Sequence, residues 1–392
     1  MLSFLPSLLS KYQPKEILIP NSLHAPFLQW EGGQEWKKVI SIQPDARFDV
    51  LNAEQKLKQT YKVKSLEVYG SFLKEEIATA GAILEYITLT QKTEGFSVLP
   101  LKKLNDANNL YMDAATLRNL EITQTVSGSY QGSLHATLNK TLTATGTRLF
   151  STYLLNPSKQ APVINKRLDK VTAFIEEDAL CSSVRKHLKN FPDLERILTR
   201  LSYQRGGPRD LRAVAEALST LEILGALRMQ APSVVHEDFE FPAHITDLKT
   251  RLQKALKETL PVLAREGDFI TASYDPELDQ QLRLRDEGKR LIAALQAKYC
   301  AQTGINSLKI KHNNVLGYFI ELTATYKGRI EEAFFIHRQT LANSVRYTTQ
   351  ELMELERSLY TAAEAALKRE LEIFEHFVTD ILSLRDSLLE AT

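Results

Sequence analysis

At 392 residues the chain is long enough for two or three domains and a sizeable buried core, and its net charge of +1 means that any basic surface has to be local. Two cysteines, Cys181 and Cys300, are too few and too far apart for a disulfide framework or a metal cluster, and read as reduced thiols of a cytosolic protein. No apolar run approaches the ~18 residues of a membrane span, and residues 1–10 lack the basic flank and cleavage site of a secretory signal, so a cytoplasmic protein is expected.

To about residue 110 the chain reads as mixed α/β. Residues 16–19 and 36–42 are short and strand-like, bounded by Pro20, Gly32, Gly33 and Pro44. Residues 66–90 predict a helix, with Leu73, Ile77, Ile83, Leu84 and Ile87 along its apolar side. From about 114 to 260 the pattern is that of packed helices, cut into ordinary lengths by Pro157, Pro162, Pro192, Pro208 and Pro232. Gly206, Gly207 and Pro208 mark a loop within it.

A longer helix starts at Asp275, a good N-cap, with Pro276 at its first position. Leu278, Leu282, Ile292, Leu295 and Tyr299 give it an apolar stripe, and Gly304 stops it. The period then switches to two: Leu308 and Ile310 face one side of a strand, Lys309 and Lys311 the other. Asn313 and Asn314 suit a turn, and residues 318–323 form the returning strand of a hairpin. The last third returns to helix behind a capping box of Thr348 and Glu351. Apolar residues from Leu352 through Leu359, Ala366, Ile373, Phe377, Ile381 and Leu384 to Leu388 keep a three-to-four spacing. At ~1.5 Å per residue such a helix can exceed ~50 Å. Long helices leading to and from a small β tip describe a lever carrying a distal contact module.

Between Lys298 and Arg329 the cations are Lys298, Lys309, Lys311, Lys327 and Arg329, against Glu321 alone, a local charge of +4. Cations on the open face of a hairpin, beside amides and Tyr318, suit phosphate oxygens. Such contacts hold nucleic acid without reading its bases, and they weaken with salt. The same lysines also fit a solvated strand face that discourages edge pairing. Nothing points to catalysis. The one Gly-Lys pair, Gly288-Lys289, has Arg283 where a phosphate-binding loop needs its first glycine. The eight histidines form no metal-spaced pair, and no Gly-x-Ser-x-Gly occurs. The carboxylates of residues 351–375 are expected to be solvated or paired at i,i+4 along their helix.

Several stretches together are similar to the MutS family of mismatch-recognition proteins. Met112-Asp-Ala-Ala-Thr-Leu-Arg-Asn-Leu-Glu121 resembles the start of that family's core, or lever, domain. Leu138-Asn-Lys-Thr141, Thr145-Gly-Thr-Arg148 and Leu154-Leu-Asn-Pro157 fit its next part. Asp275-Pro-Glu-Leu-Asp279, Thr303-Gly-Ile305, Leu308-Lys-Ile-Lys-His-Asn313 and Gly317-Tyr-Phe-Ile-Glu321 fit the clamp. Gln339-Thr-Leu-Ala-Asn343, Arg346-Tyr347 and Glu351-Leu352 fit the return into the lever. Residues 12–110 are similar, more weakly, to the later part of the connector domain.

The resemblance implies a mainly α fold: a long-helix lever domain with an inserted small β-containing clamp and a partial α/β connector at the N-terminus. It divides the chain into residues 1–110, the partial connector; 111–266, the first part of the lever; 267–333, the clamp with its DNA-contacting hairpin; and 334–392, the lever's return. In this family two subunits ring the DNA, clamps press on the phosphate backbone, and levers link them to composite ATPase sites. Carried over by position, Lys309, Lys311, Asn313 and Asn314 are the expected backbone contacts, with Lys298, Lys327 and Arg329 in support. The implied partners are double-stranded DNA and, in the intact protein, a second MutS-type subunit and a MutL-type protein; no membrane is implied. ATP and magnesium belong to the intact protein's ATPase, and this chain is expected to carry no cofactor and no enzymatic site.

The departures bear on function too. The family's mismatch-reading domain carries a Phe-x-Glu wedge; here Phe174-Ile-Glu176 falls in a helical run and Phe319-Ile-Glu321 in a strand, so neither is expected to act as one. The first part of the connector and the ATPase that follows the final helix are unmatched, so an expressed fragment or a broken gene is expected, with the family's main dimer contact outside it. Two alternatives stay open at this point: a helical scaffold that binds a protein and never touches DNA, and a meiotic-type relative that holds branched DNA. The fit of residues 112–121 favours the repair branch over the second.

Overall fold

The computed structural model describes residues 5–30, 32–91, 98, 100–103, 108–239, 245–313, 315–326, 330 and 334–391. The chain is mainly helical and divides into two compact units, one of residues 1–206, 213–249 and 384–392, the other of 207–212 and 250–383. No described helix is long and apolar enough to cross a membrane.

After a short helix, Leu5–Tyr12, the first unit continues with β1 (Ile17–Pro20) and β2 (Ile40–Gln43), which pair in parallel with Ile17 opposite Ile40. Parallel neighbours need a crossover, here the helix Asn21–Gln29 followed by a 3-10 turn, Gly33–Val39. The strand expected from 36 therefore begins only at Ile40. Gly33 packs so closely on the Phe27 carbonyl that a Cβ would overlap it, and the chain tightens there before it can extend. Two helices follow, α1 (Val50–Tyr61), capped by Asp49 through the Asn52 N–H at 2.9 Å, and α2 (Lys74–Gln91). They meet at Gly81, which leaves room for Ala53, and bury Leu57, Leu66 and Leu84. The helix expected from 66 is interrupted: Leu66–Tyr69 is a 3-10 turn ended by Gly70 at φ +120°, which an L side chain rarely adopts.

The helical stretch that follows starts its segments on side-chain caps. Asp113, Ser133, Thr143 and Asp193 each accept a backbone N–H in the first turn of the next helix. One of these helices, α3 (Ala161–Glu176), buries Ala173 with Leu180, Leu224, Val235 and Phe239.

The second unit is organised by α4 (Pro276–Thr303) and α5 (Gln350–Ser383), of 28 and 34 residues. The longer one spans about 50 Å. Asp275 caps α4 through the Leu278 N–H at 2.8 Å, and Gly304 ends it at φ +67°, both as the sequence predicts. The helices run antiparallel: Asp275 bonds Arg369, Gly288 makes room for Leu359, and Lys298 pairs with Glu351. Between them lie β3 (Lys309–Asn313), β4 (Gly317–Thr323), β5 (Ile336–Thr340) and β6 (Ser344–Thr348), one antiparallel sheet in the order β3-β4-β6-β5. Its inner face packs Ile320, Leu322, Val345 and Tyr347 on Leu295 and Tyr299 of α4 and Leu352 of α5.

The expected hairpin forms as β3–β4 and is half of a larger sheet. Two expectations are corrected here. The cap of α5 is Thr349, whose hydroxyl accepts the Leu352 N–H at 3.1 Å; Thr348 is the last residue of β6, paired with Ile336. The apolar stripe also breaks, because α5 stops at Ser383 and Leu388 belongs to a separate helix, Arg385–Glu390.

Candidate nucleic-acid interface

Because cross-strand partners share a face of a sheet, the register defines the side turned away from the core. Lys309 stands opposite Glu321, Lys311 opposite Phe319, Asn313 opposite Gly317, and Glu321 opposite Arg346. The alternation expected from the sequence holds: Leu308 is buried, while Lys309 and Lys311 are exposed on the other face. Three cations, Lys309, Lys311 and Arg346, thus surround one carboxylate, and Glu321 is the sole acid in the four strands.

Their engagement differs. Lys309 has no ion-pair or hydrogen-bond partner among the described residues. Lys311 Nζ lies 2.6 Å from Glu321 Oε1, and Arg346 Nε lies 3.5 Å from Oε2. The hydrogen bond from Lys311 holds the Glu321 carboxyl below the usual carboxylate range, against an opposing push from burial. Arg346 is fixed further, with its guanidinium 4.4 Å from the Phe319 ring centre and its NH1 donating to Gln339 at 2.8 Å. That stacking covers Phe319, which is buried although it lies on the outer face.

The remaining expected contacts are distributed unevenly. Asn313 Oδ1 accepts the N–H groups of Val315 and Leu316 at 3.0 and 2.7 Å, so it shapes the turn. Lys298 belongs to α4, the helix on the inner face, and its ammonium is bonded to Glu351 at 2.8 Å. Asn314, Lys327 and Arg329 lie outside the described residues. Arg346 was not among the expected contacts. Its signal was the alternation Ser344-Val-Arg-Tyr-Thr348, which puts it opposite the buried Val345 and Tyr347.

Elsewhere the polar residues of the resemblance explain themselves as scaffold. Arg148 makes a two-pronged bond to Asp193, at 3.0 and 2.6 Å, and so ties one helix to the cap of another. Arg369 grips the Asp275 cap with Nε and NH2 at 3.1 and 2.8 Å. Glu351, Glu354, Glu364, Glu372 and Glu375 are exposed along α5, and Glu372 pairs with Lys368 at i,i+4, as expected. Two carboxylates of the helix, Glu356 and Glu370, depart from that role. Glu370 is buried and accepts the N–H groups of Asp268, Phe269 and Ile270 at 2.7, 3.1 and 3.1 Å. Glu356 accepts the Tyr318 N–H at 2.9 Å, in space left open by Gly317 at φ +69°.

Fold and site together define a mainly helical protein that carries a cation-bearing sheet at the end of an antiparallel helix pair. Residues 115–392 match the family model of MutS domain III, and residues 3–103 that of MutS domain II. The DNA mismatch repair protein MutS of Roseobacter denitrificans is 42% identical over 346 residues, covering 86% of this chain and 39% of that protein. The DNA mismatch repair protein MutS of Rhizobium meliloti is 38% identical over 398 residues, 97% of this chain and 42% of that one. Its counterpart in a Ruegeria species is 40% identical over 364 residues, 91% and 41%. The chain belongs to the MutS family, and spans about two fifths of the length of these relatives.

Proposed function

We propose that this chain is the DNA-embracing middle of a MutS-type mismatch-repair protein, which holds duplex DNA by its phosphate backbone through the outer face of the four-stranded sheet. The observation that carries the reading is that face: Lys309, Lys311 and Arg346 project from it, opposite the buried core. Cations there neutralise phosphates without reading bases. In the intact protein the helix pair α4–α5 couples this contact to the ATPase, which uses ATP and magnesium. Its partners are double-stranded DNA, a second MutS-type subunit and a MutL-type protein, and its place is the cytoplasm beside chromosomal DNA. The residues proposed as clamp, 267–333, then extend through β5 and β6. The test is the duplex affinity of the Lys309→Glu, Lys311→Glu double variant, which should fall at least tenfold; unchanged affinity rejects the assignment.

A second reading, a scaffold that binds protein, is favoured by one observation. Ile164, Leu168, Val171 and Ile175 lie exposed at three-to-four spacing along α3. Salt separates the two readings, since phosphate contacts lose affinity steeply with ionic strength and an apolar stripe does not.

A further inference from the structure

The sheet's outer face has a feature that contact with phosphate does not require. Glu321 sits at its centre, cross-strand from both Lys309 and Arg346 and diagonal to Lys311. Its side chain is 20% exposed, whereas that of Lys311 is 50% exposed. The pair with Lys311, half exposed on the lysine's side, adds little stability. The contact with Arg346 is more covered but long at 3.5 Å. Glutamate is also a poor strand former, so the fold gains little from a carboxylate in this position. The carboxylate presents two oxygens to the same donors that a phosphate would engage, one to Lys311 and one to Arg346.

We infer that Glu321 is a built-in counter-anion of this face, which occupies Lys311 and Arg346 until a phosphodiester displaces it, and thereby sets how tightly and how salt-dependently the face holds a polyanion. The inference rests on the nucleic-acid reading above. Arg346 is braced by Phe319 and Gln339 and stays in place. Lys311, on a flexible stem with one described partner, swings from carboxylate to phosphate. A cation already neutralised by Glu321 releases fewer counterions when DNA binds, so the carboxylate lowers both affinity and salt slope.

The test uses the whole chain and a fluorescent homoduplex at several sodium chloride concentrations. Glu321→Gln keeps the side-chain size and removes the charge. It should bind about two- to tenfold tighter at low salt, with a salt slope steeper by about 0.9. Glu237→Gln changes net charge equally at an exposed pair with Lys166 in the other unit, and should match the wild type. In a Lys311→Gln background the gain from Glu321→Gln should shrink by at least half. Should Glu321→Gln melt early, Glu321→Thr replaces it, threonine being favoured in strands. Unchanged or weaker binding by a variant that melts like the wild type overturns the inference, as does an equal gain from Glu237→Gln. The two levels fail separately. If Lys309→Glu with Lys311→Glu abolishes binding but Glu321→Gln gains nothing, the counter-anion alone is wrong. If the wild type does not bind at low salt, the nucleic-acid reading and this inference fall together.

Discussion

Two groups of charges sit on the second unit, one where α4 begins and the later part of α5 passes it, the other on the sheet between the two helices. Near the helix start, Glu370 is 4% exposed and takes three backbone N–H groups, while Arg369 grips Asp275 with two nitrogens. On the sheet, Lys311 is half exposed with a single described partner and Lys309 has none. A buried carboxylate with its donors supplied cannot leave without stranding them. An exposed lysine on a long stem exchanges partners at little cost. The first group holds the helix pair together, and the second is available to an external anion.

Substitutions that move charge at each end separate these roles, and the largest effect is expected at Glu370. Glu370→Ala leaves three backbone N–H donors, two of them buried, without an acceptor and should destabilise the chain by about 3 kcal/mol or more in chemical denaturation. Gly317→Ala forces an alanine to φ +69° against Glu356 and should cost about 1–2 kcal/mol, with faster amide exchange confined to the β3–β4 turn. Asp275→Asn retains a capping oxygen but loses the charge that Arg369 grips, and should cost about 1 kcal/mol.

That last variant also has a pH signature. The hydrogen bond from Arg369 depresses the Asp275 carboxyl below its ordinary value of 3.8. A depressed folded pKa contributes stability that is present above 3.8 and is lost as pH falls through the lower folded value. Denaturation of the wild type should therefore show an acid-dependent loss below pH about 4 that Asp275→Asn lacks. The smallest stability effect belongs to the sheet: Lys309→Glu with Lys311→Glu should change unfolding free energy by about 0.5 kcal/mol or less. A loss comparable to that of Glu370→Ala would erase the distinction between the two groups.

What the sequence disclosed was local. Asp275-Pro276 and Gly304 act through backbone conformation within one turn, so both ends of α4 were readable. The switch to period two exposed Lys309 and Lys311 on one face without any knowledge of their neighbours. β5 was hidden because it is an exposed edge strand, interrupted by an irregularity between His337 and Gln339, and shows no apolar alternation. With β5 and β6 unrecognised, Arg346 had no face to be assigned to. Thr348 and Thr349 are adjacent and equally able to cap, and pairing of Thr348 with Ile336 decides between them. Glu370 was illegible for a different reason: its partners are backbone N–H groups about a hundred residues away, which leave no side-chain pattern.

The most direct test of the central claim is the salt dependence of duplex binding by the wild-type chain and by Lys309→Glu, Lys311→Glu, on a homoduplex and on a mismatched duplex. The account predicts weak wild-type binding, in the range of about 10⁻⁴ to 10⁻⁶ M, that steepens with falling salt and ignores the mismatch. The double variant should lose at least tenfold in affinity and about two units of salt slope while melting like the wild type. Equal binding by the two chains, or wild-type binding indifferent to salt, would contradict it.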